Sequence, residues 1–150
     1  MLKLTGMVKL DLYKDGELKD TTGWLKNTIT NTGLAQIALL AGDASAVPFT
    51  YLAVGTSKTA ESASQTALQA EISDSGLARA AATVSRVTTT QTNDTLQLTY
   101  TWTASGSKTI EEVGMFNAAS SGTMLGRKLT TSKSISSGEQ LVGTYKIIFS

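Results

Sequence analysis

Alternating apolar and polar positions dominate the chain and predict β-strands. Residues 8–12 carry Val, Leu and Leu on one face and charged residues on the other, directly before Asp15-Gly16. An Asp-Gly pair after such a run predicts a hairpin turn, because both residues tolerate positive φ. The clearest alternation is LQLTYTWT, residues 96–103, in which Leu96, Leu98, Tyr100 and Trp102 share one face.

Four further segments have strand composition, with turn residues between them. They are 49–55, 110–117, 123–130 and 141–149, and turns are expected at Asn93-Asp94 and Ser120-Ser121-Gly122. Residues 78–91 are rich in β-branched side chains but change phase between Val84 and Val87, which predicts a β-bulge. The final strand is so apolar that it must be paired or buried.

Two short helices are expected among these strands. NTGLAQIALLAG, residues 31–42, offers Asn31 or Thr32 as cap and Gly42 as terminator. Its apolar face, Leu34, Ile37 and Ala38, is small, so the helix should lie against a sheet. TALQAEI, residues 66–72, predicts a helical turn capped by Ser64 or Thr66.

Together these elements predict a mainly β fold. We expect a single antiparallel β-sandwich or barrel-like domain with one or two short α-helices. Residues 1–27 are expected to form an N-terminal hairpin or arm, and residues 28–150 a β-rich structural domain, in one compact unit overall.

Composition narrows the range of functions. The 150 residues include no histidine and no cysteine, and the net charge is +1. The commonest general base, thiolate nucleophiles and thiolate-bound metals are therefore excluded. The charge balance favours neither nucleic acid nor an anionic membrane as partner, and no segment approaches the ~20 apolar residues of a membrane span. We expect no enzyme activity, no cofactor and no metal site.

The adjacent Glu111 and Glu112 are the first candidate for catalysis. Neighbouring side chains on a strand point to opposite faces, whereas glycosidase carboxylates stand about 5 to 10 Å apart on the same side. Glu112 is expected at the strand entry or beside a partner such as Arg127. We interpret the pair as structural.

AVGTSKT, residues 53–59, is a second candidate because a strand followed by Gly-x-Ser-Lys-Thr suggests a phosphate-binding loop. Ser57 stands where that motif requires glycine, and Tyr51 stands where its upstream glycine belongs. The expected helix onset also comes several residues too late. An exposed turn is the favoured interpretation.

Contacts with a partner are the remaining kind of site. Trp102 is in phase with an apolar face and is expected in the core, whereas Trp24 stands in a polar context beside a glycine. The candidate partner-contact residues are Leu2, Leu4, Met7 and Trp24. The first three precede any clear core, so the N-terminal hairpin is a candidate arm reaching a neighbouring protein or copy.

The order of motifs resembles a known family. It runs through Thr32 to Ala35, Ala53 to Gly55, Thr66 to Glu71, Ile110 to Asn117 and Met124 to Arg127. This order is similar to that of small structural proteins of tailed bacteriophages, found in capsid decoration (cement) proteins and in tail-collar fibre domains. Gly55 departs from the pattern, because Thr-Ser follows it instead of a second glycine.

The resemblance implies a non-enzymatic virion protein that forms a homo-oligomer, a trimer. The leading expectation is a decoration protein on the capsid surface that binds the major capsid protein and stabilises the assembled head. The alternative is a tail or collar/baseplate-associated adaptor bound to a tail or baseplate protein. A carbohydrate-binding β module is the third interpretation, and it would need an exposed aromatic pair.

Overall fold

The computed structural model describes residues 1–150 and contains two antiparallel sheets and one helix. The first sheet has the order β2-β1-β11-β8-β7, with β3 pairing with β1 beside β2. Its strands are β1 (Leu4–Lys14), β2 (Glu17–Thr21), β3 (Leu25–Lys26), β7 (Thr83–Val87), β8 (Thr95–Thr103) and β11 (Gln140–Phe149). The second sheet has the order β4-β10-β9-β5-β6. Its strands are β4 (Thr28–Ile29), β5 (Tyr51–Gly55), β6 (Ala80–Ala81), β9 (Lys108–Phe116) and β10 (Met124–Ile135), and the helix is α1 (Asn31–Gly42).

The prediction of a mainly β fold with a short helix is confirmed, and the architecture is that of a β-sandwich. The core lies between the inward faces of the two sheets, as strand alternation requires. The predicted face of β8 is confirmed, because Leu98 and Trp102 are buried in the main core and Leu96 and Tyr100 pack against it.

The last strand occupies the interior of the first sheet. β11 pairs with β1 from Leu4 opposite Phe149 to Tyr13 opposite Gln140, and with β8 on its other side. Both backbone edges of β11 are therefore hydrogen-bonded along most of its length. The prediction that this apolar strand is paired is confirmed.

Residues 1–27 form β1, β2 and β3 of the first sheet. The hairpin predicted at Asp15-Gly16 is present, with φ of 51° and 78° at these two residues. β1 lies inside the sheet and contributes Val8, Leu10 and Leu12 to the core that it shares with the rest of the chain. This strand is therefore packed into the sandwich along its length and does not project from it.

The helix is confirmed over residues 31–42, but its cap is Thr30, not Asn31 or Thr32. The Thr30 hydroxyl accepts a hydrogen bond from the Gly33 N–H at 2.9 Å and donates one to the Met124 carbonyl at 2.5 Å. The cap thus joins the helix to β10, a contact that local sequence does not reveal.

The predicted apolar face of the helix is wrong in part. Ile37 and Leu40 pack against the core, while Leu34 is 47% exposed. Gly33 lies on the same side as Ile37 and Leu40, and a Cβ there would stand 2.6 Å from the Leu125 carbonyl oxygen. The missing side chain lets the helix approach β10 closely, so the inward face runs through positions 33, 37 and 40.

The helical turn predicted at residues 66–72 is absent. This segment is irregular, and Glu71 forms an isolated antiparallel bridge with Gly55. The Gln69 and Ala70 N–H groups donate to the carboxylate of Glu112 instead of to preceding carbonyls. A tertiary acceptor therefore replaces the helical hydrogen bonds.

The bulge predicted between Val84 and Val87 is also absent. β7 pairs with β8 without a register shift, from Thr83 opposite Thr99 to Val87 opposite Thr95. The chain instead changes sheets just before this strand, because β6 belongs to the second sheet and β7 to the first. Ala82, between them, donates its N–H to the Thr50 carbonyl at 2.8 Å.

The predicted turn at Asn93-Asp94 is confirmed, and Asp94 organises it. Its carboxylate accepts backbone hydrogen bonds from Gln91, Thr89 and Thr90 at 2.7 to 2.9 Å. These N–H groups, that of Gln91 above all, hold the pKa of Asp94 well below its usual value of 3.8. The ionised carboxylate is thus the form that closes the turn.

Asp94→Asn is expected to lower stability at neutral pH, with a deficit that depends on pH. Because the folded pKa is depressed, the ionised carboxylate stabilises the fold above the unfolded pKa, and this stabilisation is lost as pH falls through the folded pKa. The deficit should be constant above about pH 5 and shrink below the unfolded value. Urea unfolding midpoints across pH 2 to 7 measure it, with Asp15→Asn as control because Asp15 lies in another turn. A deficit that does not change with pH would contradict the proposed role of the charge.

Candidate functional site

Several of the residues that carry the family resemblance lie on the face of the second sheet that points away from the main core. Val113 and Met115 of β9 point into the main core, so the alternating Glu112, Gly114 and Phe116 occupy the opposite face. Residues 56–79, called the cover loop, connect β5 to β6 and supply partners to this face. The motif residues on this face therefore hold the cover loop on the second sheet.

The centre of this arrangement is an ion pair between Glu112 and Arg127, one of the two alternatives that the sequence offered for Glu112. Arg127 Nε donates to Glu112 Oε2 at 2.6 Å, and the two side chains are 1% and 0% exposed. Arg127 Nη2 is buried without a hydrogen-bond partner. A buried pair of this kind is costly to break because either charge alone is left in an apolar environment.

The cover loop supplies the other partners of this pair. Glu112 accepts the Gln69 and Ala70 N–H groups at 3.1 and 2.7 Å. Arg127 Nη1 donates to the Thr59 carbonyl at 2.9 Å and to Gln65 Oε1 at 3.1 Å. The pair thus holds both the first and the middle part of the loop.

Gly55, the last residue of the AVG motif, makes room for this pair. A Cβ at this position would lie 2.6 Å from the Ala70 carbonyl oxygen and would collide with the Glu112 carboxylate. Glycine is required here by close approach, and the departure at the two residues that follow it leaves this contact unaffected.

Gly55→Ala is expected to lower the free energy of unfolding by about 1–3 kcal/mol, the range for adding a methyl group to a site that is already close-packed. The measurement is urea denaturation followed by circular dichroism. Gly138→Ala is not a suitable control, because the backbone φ of Gly138 is 87° and any added side chain would be strained there. Gly42→Ala is better, because a Cβ there meets nothing within 4 Å. Equal losses in the two variants would contradict the close-approach explanation.

A second ion pair fastens the far end of the cover loop. Arg79 Nε and Nη2 donate to the two oxygens of Glu71 at 2.8 and 2.6 Å. Its guanidinium lies 3.6 Å from the centroid of the Phe116 ring, a cation–π arrangement. Arg79 Nη1 also donates to the Ala118 and Ser121 carbonyls of the turn between β9 and β10.

Glu111 and Glu112 have separate partners. Glu111 accepts hydrogen bonds from the Ser132 hydroxyl at 2.7 and 2.8 Å and lies 3.5 Å from Lys58 Nζ. None of these groups is a partner of Glu112. Each carboxylate is occupied by its own structural contacts, which supports the interpretation of both as structural.

The phosphate-binding loop that the sequence analysis weighed and set aside, in favour of an exposed turn, has no matching geometry either. No helix follows β5, so the AVGTSKT segment has no helix N-terminus to face a phosphate. No group of three or more acidic, histidine or cysteine side chains is placed to hold a metal ion. A cleft of about 470 Å³ lies between the helix and the edge of the first sheet. Its lining includes Ile37, Leu40, Phe49 and Phe149 and contains no ionisable side chain.

Met7 and Trp24, two predicted partner-contact residues, lie together on the outer face of the first sheet. Trp24 is 43% exposed, and its ring centroid lies 5.2 Å from Lys9 Nζ and 4.7 Å from Lys146 Nζ. Met7 is half-buried and stands in register between Lys26 of β3 and Lys146 of β11. Met7, Lys9, Trp24, Lys26 and Lys146 are called the Trp24 surface.

The other two predicted contact residues are placed apart from this surface. Leu2 is 70% exposed ahead of β1, and Leu4 packs against the core opposite Phe149. The three lysines were missed by sequence reasoning, because they become neighbours only through the pairing of β1 with β3 and β11. Trp102, predicted in the core, is buried and donates its Nε1–H to the Ala78 carbonyl at 2.8 Å.

No helix is both long and apolar enough to cross a membrane.

Comparison with known proteins defines the class of the chain. The two-sheet fold and the loop-holding motifs fit a structural protein of tailed phages, the class that the family comparison supports. Residues 22–146 match the family described as podophage GP4 fiber I protein gp80, and the chain belongs to this family. Neither the curated proteins nor the solved structures include a match.

Proposed function

We propose that the chain is a non-enzymatic structural component of a phage fibre, attached to the tail or collar region of the virion. The observation that carries this proposal is the match of residues 22–146 to a fibre protein family. The word fibre in that description supports the alternative of the sequence analysis, a tail or collar component, and we place it ahead of the capsid surface. Capsid decoration is the alternative that the experiment below distinguishes.

The use of the motif residues supports a structural role. Gly55, Glu71, Glu112 and Arg127 hold the cover loop on the second sheet. The charged groups of Glu71, Glu112 and Arg127 are paired within the chain, and these pairings fasten the loop. A rigid β body with a fixed loop suits a virion part that must keep its shape.

The sheet edges support assembly into a homo-oligomer, for which we propose a trimer. The edge strand β2 carries Glu17, Lys19 and Asp20, charges that discourage pairing with another chain. The opposite edge, β7, has Arg86 as its one charged residue. The β7 edge therefore carries fewer charges that would oppose pairing. If this edge contacts a different surface of the next copy, the contact is head-to-tail, and such contacts close into a ring when the rotation between copies allows it.

The test is gold-labelled antibody against this chain on intact particles of the source virus, viewed by electron microscopy. Label on the fibres or at the tail supports the proposal. Label spread over the head would overturn it in favour of decoration, and particles without label would overturn a virion role. Light scattering of the purified chain tests the trimer separately, because a monomer mass would contradict it.

A further inference from the structure

Two lysines of the Trp24 surface carry charge that no carboxylate in the chain compensates. Lys9 lies 3.3 Å from Asp11, whereas Lys26 and Lys146 form no ion pair. Both stand in register with Met7, one on each neighbouring strand. Strands are spaced about 4.8 Å apart, so the two lysine backbones are roughly 10 Å apart on one face. This surface therefore offers two positive charges to an external anion.

Trp24 adds an apolar platform to these charges. It is the most exposed aromatic side chain of the protein, and its ring lies beside Lys9 and Lys146. Indole combines a broad apolar face with a polar edge and anchors ligands that share this character. No second exposed aromatic stands beside it, and two lysines flank its ring instead.

The neighbouring outward positions are polar. Gln97 stands opposite Lys146, Thr144 opposite Lys9, and Thr99 opposite Thr144. All three are half-buried, and their side chains make no hydrogen bond within the chain. No cavity opens on this face that could take an apolar peptide anchor.

We propose that the Trp24 surface binds an acidic saccharide, a sugar unit that carries a carboxylate. The sugar's C–H face packs on the exposed part of Trp24, and its carboxylate accepts charge-assisted hydrogen bonds from Lys146 and Lys26. Its hydroxyls bond to the free groups of Thr144 and Gln97. Charge complementarity selects an acidic over a neutral sugar, and the aromatic face selects a sugar over a simple anion. The inference goes beyond a fibre role and does not depend on where the chain sits on the virion.

The experiment titrates the purified full chain with polygalacturonate and follows tryptophan fluorescence. Trp102 is buried, so a change on binding reports Trp24. Lys26→Gln with Lys146→Gln removes both charge-assisted hydrogen bonds and is expected to weaken retention on immobilised polygalacturonate tenfold or more, because the loss of one such contact already corresponds to about that factor. Trp24→Ala removes the apolar platform and is expected to weaken retention as well. Lys14→Gln is the matched control, because it removes an exposed lysine with no ion-pair partner away from this surface and should leave retention unchanged.

Three ligands separate this proposal from its competitors. Retention on polygalacturonate that weakens with salt, without retention on dextran or polyglutamate, supports it. Equal retention on dextran would show that charge is not recognised, and equal retention on polyglutamate would show that the sugar is not. Either result overturns the proposal, as does binding unaffected by Trp24→Ala in a variant whose circular dichroism and unfolding midpoint match the parent.

Discussion

Arg127→Met is expected to lower the free energy of unfolding by about 3–5 kcal/mol, the loss typical of a buried ion pair deprived of one partner. The guanidinium is 1% exposed and Glu112 is 0% exposed, so the remaining carboxylate would be buried without a counter-charge. The substitution also removes the hydrogen bonds to the Thr59 carbonyl and Gln65, which hold the cover loop. Urea denaturation monitored by circular dichroism measures the loss.

The control for this variant is Lys108→Met. Lys108 pairs with Asp74 at 2.8 Å, but the two side chains are 29% and 64% exposed. Exposed pairs contribute little to stability because water screens them, so this variant should remain close to the parent. If Arg127→Met lost no more than Lys108→Met, the buried pair would not be holding the fold.

The double variant Glu112→Leu/Arg127→Met separates the charge from the backbone contacts. Replacing both members of a buried pair by apolar residues is often neutral, because neither charge is left unpaired. Here the double variant should regain only part of the stability lost in Arg127→Met, since the Gln69 and Ala70 N–H groups would lose their acceptor. Proteolysis within residues 56–79 should consequently be faster in the double variant than in the parent, while the two sheets remain folded.

Sequence patterns were sufficient where local rules decide the structure. Alternation in β8 and the Asp15-Gly16 turn depend on a few adjacent residues, and both predictions are confirmed. For Glu112 the sequence left two alternatives, the strand entry or a partner such as Arg127, and the structure shows the pairing with Arg127. These features need no knowledge of distant parts of the chain.

Predictions failed where a distant group replaced a local one. Residues 66–72 have helical spacing, but Glu112, far along the chain, accepts the N–H groups of Gln69 and Ala70. The helix is capped by Thr30 instead of the predicted Asn31 or Thr32, because the Thr30 hydroxyl also donates to the Met124 carbonyl of β10. In both cases tertiary hydrogen bonds outweighed local propensity, which is a weak determinant of structure.

The candidate surface was predictable only in part for the same reason. Trp24 and Met7 stood out as an aromatic in a polar context and an apolar residue early in the chain. Lys146 lies at the opposite end of the sequence and reaches Met7 through the pairing of the first and last strands. That register depends on the whole sheet, so the charge of the surface could not be derived from the sequence.

Trp102→Ala is expected to lower the free energy of unfolding by about 3–5 kcal/mol, the range for removing a large aromatic from a core. The side chain is 1% exposed and meets Tyr100 edge-on, with ring centroids 5.0 Å apart. The indole also donates to the Ala78 carbonyl at the end of the cover loop, so its removal leaves both a cavity and an acceptor without its donor. The loss is measured by urea denaturation.

Trp24→Ala is the matched control, because it removes the same side chain from the outer face of the same sheet. Trp24 is 43% exposed, and its two lysine contacts are cation–π interactions worth roughly 0.5–1 kcal/mol at exposed sites. We expect this variant to lose about 1 kcal/mol or less, as exposed substitutions usually do. Comparable losses at the two tryptophans would place Trp24 in the structural core, and the surface beside it would then be a product of folding instead of a binding site.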